Sequence, residues 1–216
     1  MNGTDAVWAV GRVTLGAAVR ALAPLRIYGA EHVPRDGGVV LALNHYSWLD
    51  PIVFGAASPR NLYFLAKSEL HDIPVVGPFI RLFGTYAVRR GESDRQAVRE
   101  MRRCVQDGNP LGVFAEGTRQ RSGVPGEVQP GAAMVALQER VPIVPAAVEG
   151  TQYWKPGNLH PVSVAWGRPM LFDGLKANGK GYREASVEVE RRINALWRFL
   201  VDVNVLGRPR YALPPR

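Results

Sequence analysis

The chain is 216 residues long and 46% hydrophobic, with 27 Lys and Arg against 19 Asp and Glu for a formal net charge of +8. That length and apolar content suit one domain with a substantial core and exclude a disordered chain. A single cysteine, Cys104, excludes an internal disulfide framework and any multi-cysteine zinc site, and the positive excess calls for anionic company: nucleic acid, anionic lipid headgroups or a phosphorylated substrate.

Taken in chain order, residues 5–23 read as an amphipathic helix. Trp8, Leu15, Val19 and Leu22 cluster on it, Val7, Val10 and Val13 widen the apolar surface, and Asp5, Arg12 and Arg20 form a narrow polar wedge. Such a helix either packs into a core or lies in a membrane interface with its arginines reaching headgroups. No stretch attains the ~20 uninterrupted apolar residues of a membrane span, and the N-terminus lacks the pattern of a secretory signal. After Pro24, strands are expected at 25–29 and 39–43, joined by a turn-rich segment, and then at 62–66, 85–88, 111–115, 143–148 and 162–166. Helices are expected at 51–57, 78–83, 94–106, 131–138 and 184–203. This alternation predicts an α/β fold: one domain with a mixed, mostly parallel sheet of about seven strands flanked by helices. The division is an interface helix at 1–24, the main domain at 25–206 and a loosely held Pro- and Arg-rich tail at 207–216.

Four segments at predicted strand ends carry the polar and glycine residues from which an α/β sheet builds a site. The first runs from Asn44 to Asp50 and places His45 five residues before Asp50. Residues five apart face opposite sides of a strand and sit ~140° apart on a helix, so these side chains meet only across a turn. Asp50-Pro51 offers that turn as an N-cap and first helical residue. Asp50 therefore reads either as a cap or as the carboxylate that orients a general base, and one of its oxygens can cap while the other holds the imidazole. The second segment brings Arg89 and Arg90 together after a short strand, a residue type suited to bidentate phosphate contact. In the third, Phe114-Ala115-Glu116-Gly117-Thr118-Arg119, a strand runs into a carboxylate, a glycine turn, a hydroxyl and an arginine. The fourth is the apolar run around Pro145. The four histidines lie far apart, and no metal is expected.

Together these blocks resemble the glycerolipid acyltransferase family, the PlsC-like enzymes that include 1-acyl-sn-glycerol-3-phosphate O-acyltransferase. Asn44, His45 and Asp50 match its N-H-x4-D block, Arg90 the basic position of the second, Phe114 and Glu116 to Arg119 its F-P-E-G-T-R block, and Pro145 the fourth. The resemblance covers about 25–150 and implies the glycerolipid acyltransferase fold. Ala115 stands where the family usually has Pro, which loosens a backbone constraint, and Arg89 occupies a position where family members often carry a different residue.

The implied reaction moves a fatty acyl group from acyl-CoA or acyl-carrier protein to the sn-2 hydroxyl of 1-acyl-sn-glycerol 3-phosphate, giving phosphatidic acid in phospholipid biosynthesis without a cofactor. His45 is then the general base and Asp50 its orienting carboxylate. Arg90 and Arg119 hold the acceptor phosphate, with Arg89 as the alternative. Glu116 orients Arg119, binds an acceptor hydroxyl or pairs with a nearby Arg, and Gly117 and Thr118 shape the turn and offer backbone N–H groups. Expected partners are a lysophospholipid, the acyl donor and an anionic membrane surface, with peripheral attachment at the cytoplasmic face of the cell membrane and no span. Arg95, Arg99, Arg102 and Arg103 form a basic helical stripe, either a solvated face or a contact for anionic lipid or CoA phosphates. Cys104 reads as a small buried hydrophobe. Relatives acting on other lysolipids or glycolipids are the nearest alternative. A basic nucleic-acid- or lipid-binding protein without turnover is the rival from another class, but no nucleic-acid-binding module is found.

Overall fold

The computed structural model describes residues 24–67, 86–88, 94–207 and 213–215, with isolated positions 14, 17, 21, 74 and 77. The expected helices at 5–23 and 78–83 and most of the tail lie outside these residues. Among those described, seven strands form one sheet: β1 Leu25–Tyr28, β2 Val39–Leu43, β3 Tyr63–Lys67, β4 Tyr86–Val88, β5 Pro110–Phe114, β6 Ile143–Glu149 and β7 Val162–Trp166. Their order is β1-β7-β6-β2-β5-β3-β4. Strands β2 to β6 run parallel, whereas β7 is antiparallel to β6 and carries β1 parallel to itself. The described helices are α1 Asp50–Ala57, α2 Asp94–Gln106, α3 Gly131–Glu139 and α4 Gly179–Val205.

Every residue of β2 and of β6 is buried, which explains why both read as unbroken apolar runs: a sheet covered on two faces needs no polar alternation. The period of two still sorts the side chains. Val39, Leu41 and Leu43 join Val53, Phe54 and Ala57 of α1 in one cluster, with the fully buried Trp166. Val40 and Ala42 face the opposite way, toward Cys104 and Val105 of α2, Ala132 and Ala136 of α3, and Val189 and Ile193 of α4. The five parallel strands therefore deliver the residues after β2, β5 and β6 to one end of the sheet.

Strands β1 and β2 follow one another in the chain but are separated in the sheet by β7 and β6, with a single 3-10 turn, Ala30–His32, between them. Helix α4 begins at Gly179, five residues before the predicted start at 184, because the Asn178 side chain accepts the N–H groups of Lys180 and Gly181. Two glycines in this first turn gave it the look of a loop. The basic stripe of α2 is partly used by the fold itself. Arg102 bonds Glu139 of α3, Arg103 lies 3.9 Å from Asp107, and Arg99 remains exposed. Cys104, on the inner face of the same helix, is fully buried.

Replacing Asn178 by Ala removes the acceptor for two helix-end N–H groups. Urea denaturation should show a loss of about 1 kcal/mol, and an unchanged midpoint would show that the cap is dispensable.

Candidate active site

At the carboxyl end of β2 the ladder does not simply stop. The Asn44 side chain, with no exposed surface, donates from Nδ2 to the Val148 carbonyl at 3.0 Å and accepts the Val148 N–H on Oδ1 at 2.8 Å. It imitates one more residue of β2–β6 pairing beyond Leu43↔Ala146. His45 follows, and the chain turns through residues 46–49 into α1. His45 Nδ1 lies 2.8 Å from Asp50 Oδ2, so the pair that spacing suggested does meet across a turn. The same oxygen accepts the N–H groups of Tyr46 at 2.6 Å and Ser47 at 2.7 Å.

This corrects the capping expectation. Asp50 is the first helical residue, Leu49 occupies the cap position, and no side chain caps the helix. One oxygen gathers all three donors, while Oδ1 is buried without a hydrogen-bond partner among the described residues. A fully buried carboxylate bonded to Nδ1 keeps the proton on that nitrogen and leaves the Nε2 lone pair open. The imidazole retains 17% exposure, enough for a substrate to reach it.

Glu116, just past β5, holds the peptide of the same residue. Its Oε2 accepts the His45 N–H at 2.8 Å and its Oε1 accepts the Gly126 N–H at 2.8 Å. The His45 carbonyl accepts the Gln120 N–H at 2.8 Å, so the β5–α3 loop grips both sides of the histidine backbone. Glu116 is 5% exposed, and burial pushes its pKa from the ordinary 4.5 up to about 7, against the lowering effect of the Gly126 and His45 N–H groups and with a further push from the Asp50 charge. Both carboxylate oxygens are engaged by backbone, so Glu116 is not paired with Arg119, whose side chain is exposed.

The imidazole also lies on a stack of rings. Its centroid is 3.9 Å from that of Phe114 at 20° between planes, and Phe64 stacks at 5.5 Å and 13° from Phe114. Gly112 makes this possible. A Cβ there would come within 2.6 Å of the Phe64 ring. A glycine inside an apolar strand signals such a close approach, but the stack itself was not foreseen, nor were the roles of Gln120 and Gly126.

The other expected site residues divide. Gly117 and Thr118 are exposed, and Gly117 has φ 70°, the left-handed conformation that a side chain disfavours; its N–H donates to the Phe114 carbonyl at 3.0 Å. Pro145 lies within β6, one residue before the pairing with β7 begins at Ala146↔Trp166. Its missing N–H therefore leaves no gap in that ladder, and its carbonyl accepts the Gly167 N–H at 2.8 Å. Arg89 and Arg90 lie outside the described residues. Ala115 does more than loosen the backbone: its N–H donates to the Leu43 carbonyl at 2.8 Å and its carbonyl accepts the Gln129 N–H at 2.8 Å.

Two measurements test this anatomy. A carboxyl with a raised folded-state pKa binds its proton more tightly folded than unfolded. The stabilisation it contributes is complete below about 4.5 and is lost as the pH rises to about 7, an effect of up to about 3 kcal/mol. Thermal melts should show Glu116→Gln with a flatter stability profile than the parent across that window, and parallel profiles would refute the assignment. Ala115→Pro removes the donor to Leu43 and should cost about 1–3 kcal/mol in urea denaturation; a neutral or stabilising outcome would show that a fixed φ substitutes for the bond.

Known proteins carry the same chain segment. A family model described as Acyltransferase matches residues 24–149. The 1-acyl-sn-glycerol-3-phosphate acyltransferase of Bacillus subtilis is 30% identical over 127 residues, 58% of this chain and 63% of that protein. The protein of the same name from Borreliella burgdorferi is 28% identical over 127 residues, 58% of this chain and 51% of that protein. The chain thus aligns with about half to two thirds of the length of these relatives. The fold is similar to the crystal structure of the 1-acyl-sn-glycerophosphate (LPA) acyltransferase PlsC from Thermotoga maritima, with a TM-score of 0.70 and 22% identity over 93% of this chain and 79% of that one. The matched region runs from the first strand to the end of β6 and contains every residue that holds His45, so this chain belongs to the acyltransferase family.

Proposed function

We propose that the protein acylates the sn-2 hydroxyl of 1-acyl-sn-glycerol 3-phosphate, using acyl-CoA or acyl-carrier protein as donor and releasing phosphatidic acid. The observation that carries this reading is the 2.8 Å contact of His45 Nδ1 with the buried Asp50, which leaves Nε2 open at the carboxyl end of the sheet, in a chain whose relatives bear that activity in their names.

In the proposed mechanism His45 Nε2 takes the proton of the acceptor hydroxyl as its oxygen attacks the thioester carbonyl carbon. Asp50 stabilises the imidazolium that forms. The tetrahedral intermediate collapses with cleavage of the C–S bond, and the departing thiolate takes the proton back from His45. No nucleophilic side chain is needed, because the acceptor oxygen attacks directly. Glu116 fixes the His45 peptide rather than touching the acceptor, and Arg90 with Arg119 holds the phosphate. Gly117 and Thr118 form the rim of that site, and Asn44 and Pro145 support it from the strands below. Residues 25–206 form the catalytic unit, 207–216 a loose tail, and 1–24 a helix in the interface of the cytoplasmic face of the membrane. No helix of the described residues is long and apolar enough to cross a bilayer.

Purified protein offered a panel of lysolipids and glycerol 3-phosphate with each donor, its products read by mass, tests reaction, acceptor and donor together. His45→Ala should lower the rate by about 10²–10⁴-fold while the protein still melts cooperatively at a lower midpoint, because the ring sits at a strand end but is one of the three donors to the buried Asp50. A folded, fully active Ala variant would sink the mechanism.

A further inference from the structure

Three loops meet around His45 at the carboxyl end of the parallel strands, and each presents apolar side chains outward. Trp48, in the turn between His45 and Asp50, is 65% exposed. Val124, in the loop whose Gln120 N–H bonds His45, is 45% exposed, and Tyr153 and Leu159, in the loop between β6 and β7, are 53% and 57% exposed. The last two loops touch: a Cβ on Gly123 would lie 3.3 Å from the Tyr153 hydroxyl.

The loop after β6 is built to hold this display. Asn158 Oδ1 accepts the N–H groups of Lys155 at 3.1 Å and His160 at 3.0 Å, while its Nδ2 donates to the Tyr153 carbonyl at 3.0 Å. Leu159 is held at φ 47°, a conformation costly for a residue with a branched side chain, and its exposure means that burial within the chain does not offset the strain. Basic residues outnumber acidic ones in both loops. Residues 117–130 contain Arg119 and Arg121 against the exposed Glu127, and residues 150–161 contain Lys155 and no Asp or Glu. Among the described residues none of these three cations has a carboxylate partner. On α4, Lys180 pairs with Glu184 and both Arg191 and Arg192 pair with Glu188, while Arg183 and Arg198 are exposed without a carboxylate partner among the described residues.

We propose that these loops are the surface that docks on an anionic lipid bilayer, with Trp48, Val124, Tyr153 and Leu159 entering the interface and Arg121 and Lys155 meeting lipid phosphates. Exposed apolar and aromatic side chains interleaved with unmatched cations are the combination that binds such an interface. Its purpose rests on the acyltransferase reading, since docking here faces His45 toward the layer that holds a lipid acceptor. Binding is measured without any turnover.

The experiment uses the full chain with Leu159→Cys carrying an environment-sensitive nitrobenzoxadiazole label, and a control with the label at Leu171→Cys. Leu171 is as exposed, at 60%, but follows Met170, which bridges to Ile143 at the opposite end of β6. Vesicles of phosphatidylcholine with phosphatidylglycerol, free of lysolipid and donor, should shift the label at 159 to the blue and leave that at 171 unchanged. Because a cation at an anionic surface contributes about fivefold in affinity, Arg121→Gln with Lys155→Gln should weaken vesicle binding about thirtyfold. No shift at 159 on vesicle-bound protein, an equal shift at both sites, or a shift with acyl-carrier protein but not with vesicles would overturn the proposal, the last in favour of a protein partner. Failed acyl transfer with a blue shift at 159 would instead refute the reaction and leave the docking surface standing.

Discussion

One buried oxygen organises the site. Asp50 Oδ2 receives three N–H donors within 2.8 Å on a side chain with no exposed surface. An unpaired carboxylate in such a place would cost several kcal/mol, so the chain must curl until enough donors surround it. Two of them are consecutive peptide N–H groups, and the positive end of α1 adds to the favourable field. Once residues 46 and 47 are wrapped around the oxygen, the imidazole one residue earlier becomes the third donor. The orientation of His45 is thus a consequence of satisfying a charge, and the turn cannot relax without exposing that charge to an apolar surrounding.

A ring fixed at one nitrogen still moves if its backbone moves. Glu116 and Gln120 close that freedom by bonding the His45 N–H and carbonyl, and Phe114 limits tilt from the ring face. The two sequence blocks, separated by 71 positions, divide the work: the first holds the side chain and the second holds the peptide. This arrangement has an energetic cost that falls on Glu116, whose desolvation raises its pKa to about 7. Preorganisation of this kind places the reacting lone pair before substrate arrives.

The strands were legible because two-sided burial writes itself as apolar runs, and the observed bounds of β2 and β7 coincide with the expected ones. Strand order was not legible, since nothing in the segments 25–28 and 39–43 reveals that two later strands will separate them. The start of α4 was hidden by glycines, although Asn178 carried the signal. The meeting of His45 with Asp50 followed from spacing, which requires a turn, but spacing cannot distinguish a cap residue from the first helical one. The hold of Glu116 on the backbone was hidden for a deeper reason. Its partners are backbone N–H groups, which every residue but proline possesses, so no sequence pattern announces them, whereas a nearby arginine does.

Ala115 shows how the same rigidity is reached by another route. Where the family usually has proline, a ring would fix φ but offer no N–H. Here the N–H is present and bonds Leu43, carrying the β2–β5 pairing one step past Leu43↔Phe114, while the carbonyl accepts the N–H of Gln129, two residues before α3. The constraint has moved from a local dihedral angle to a bond between the two strands that deliver His45 and Glu116. A local constraint stiffens only its own residue. A bond to Leu43, two residues before the histidine, makes the position of Glu116 relative to His45 part of the sheet ladder, so the clamp on the histidine peptide is as rigid as the central strands themselves.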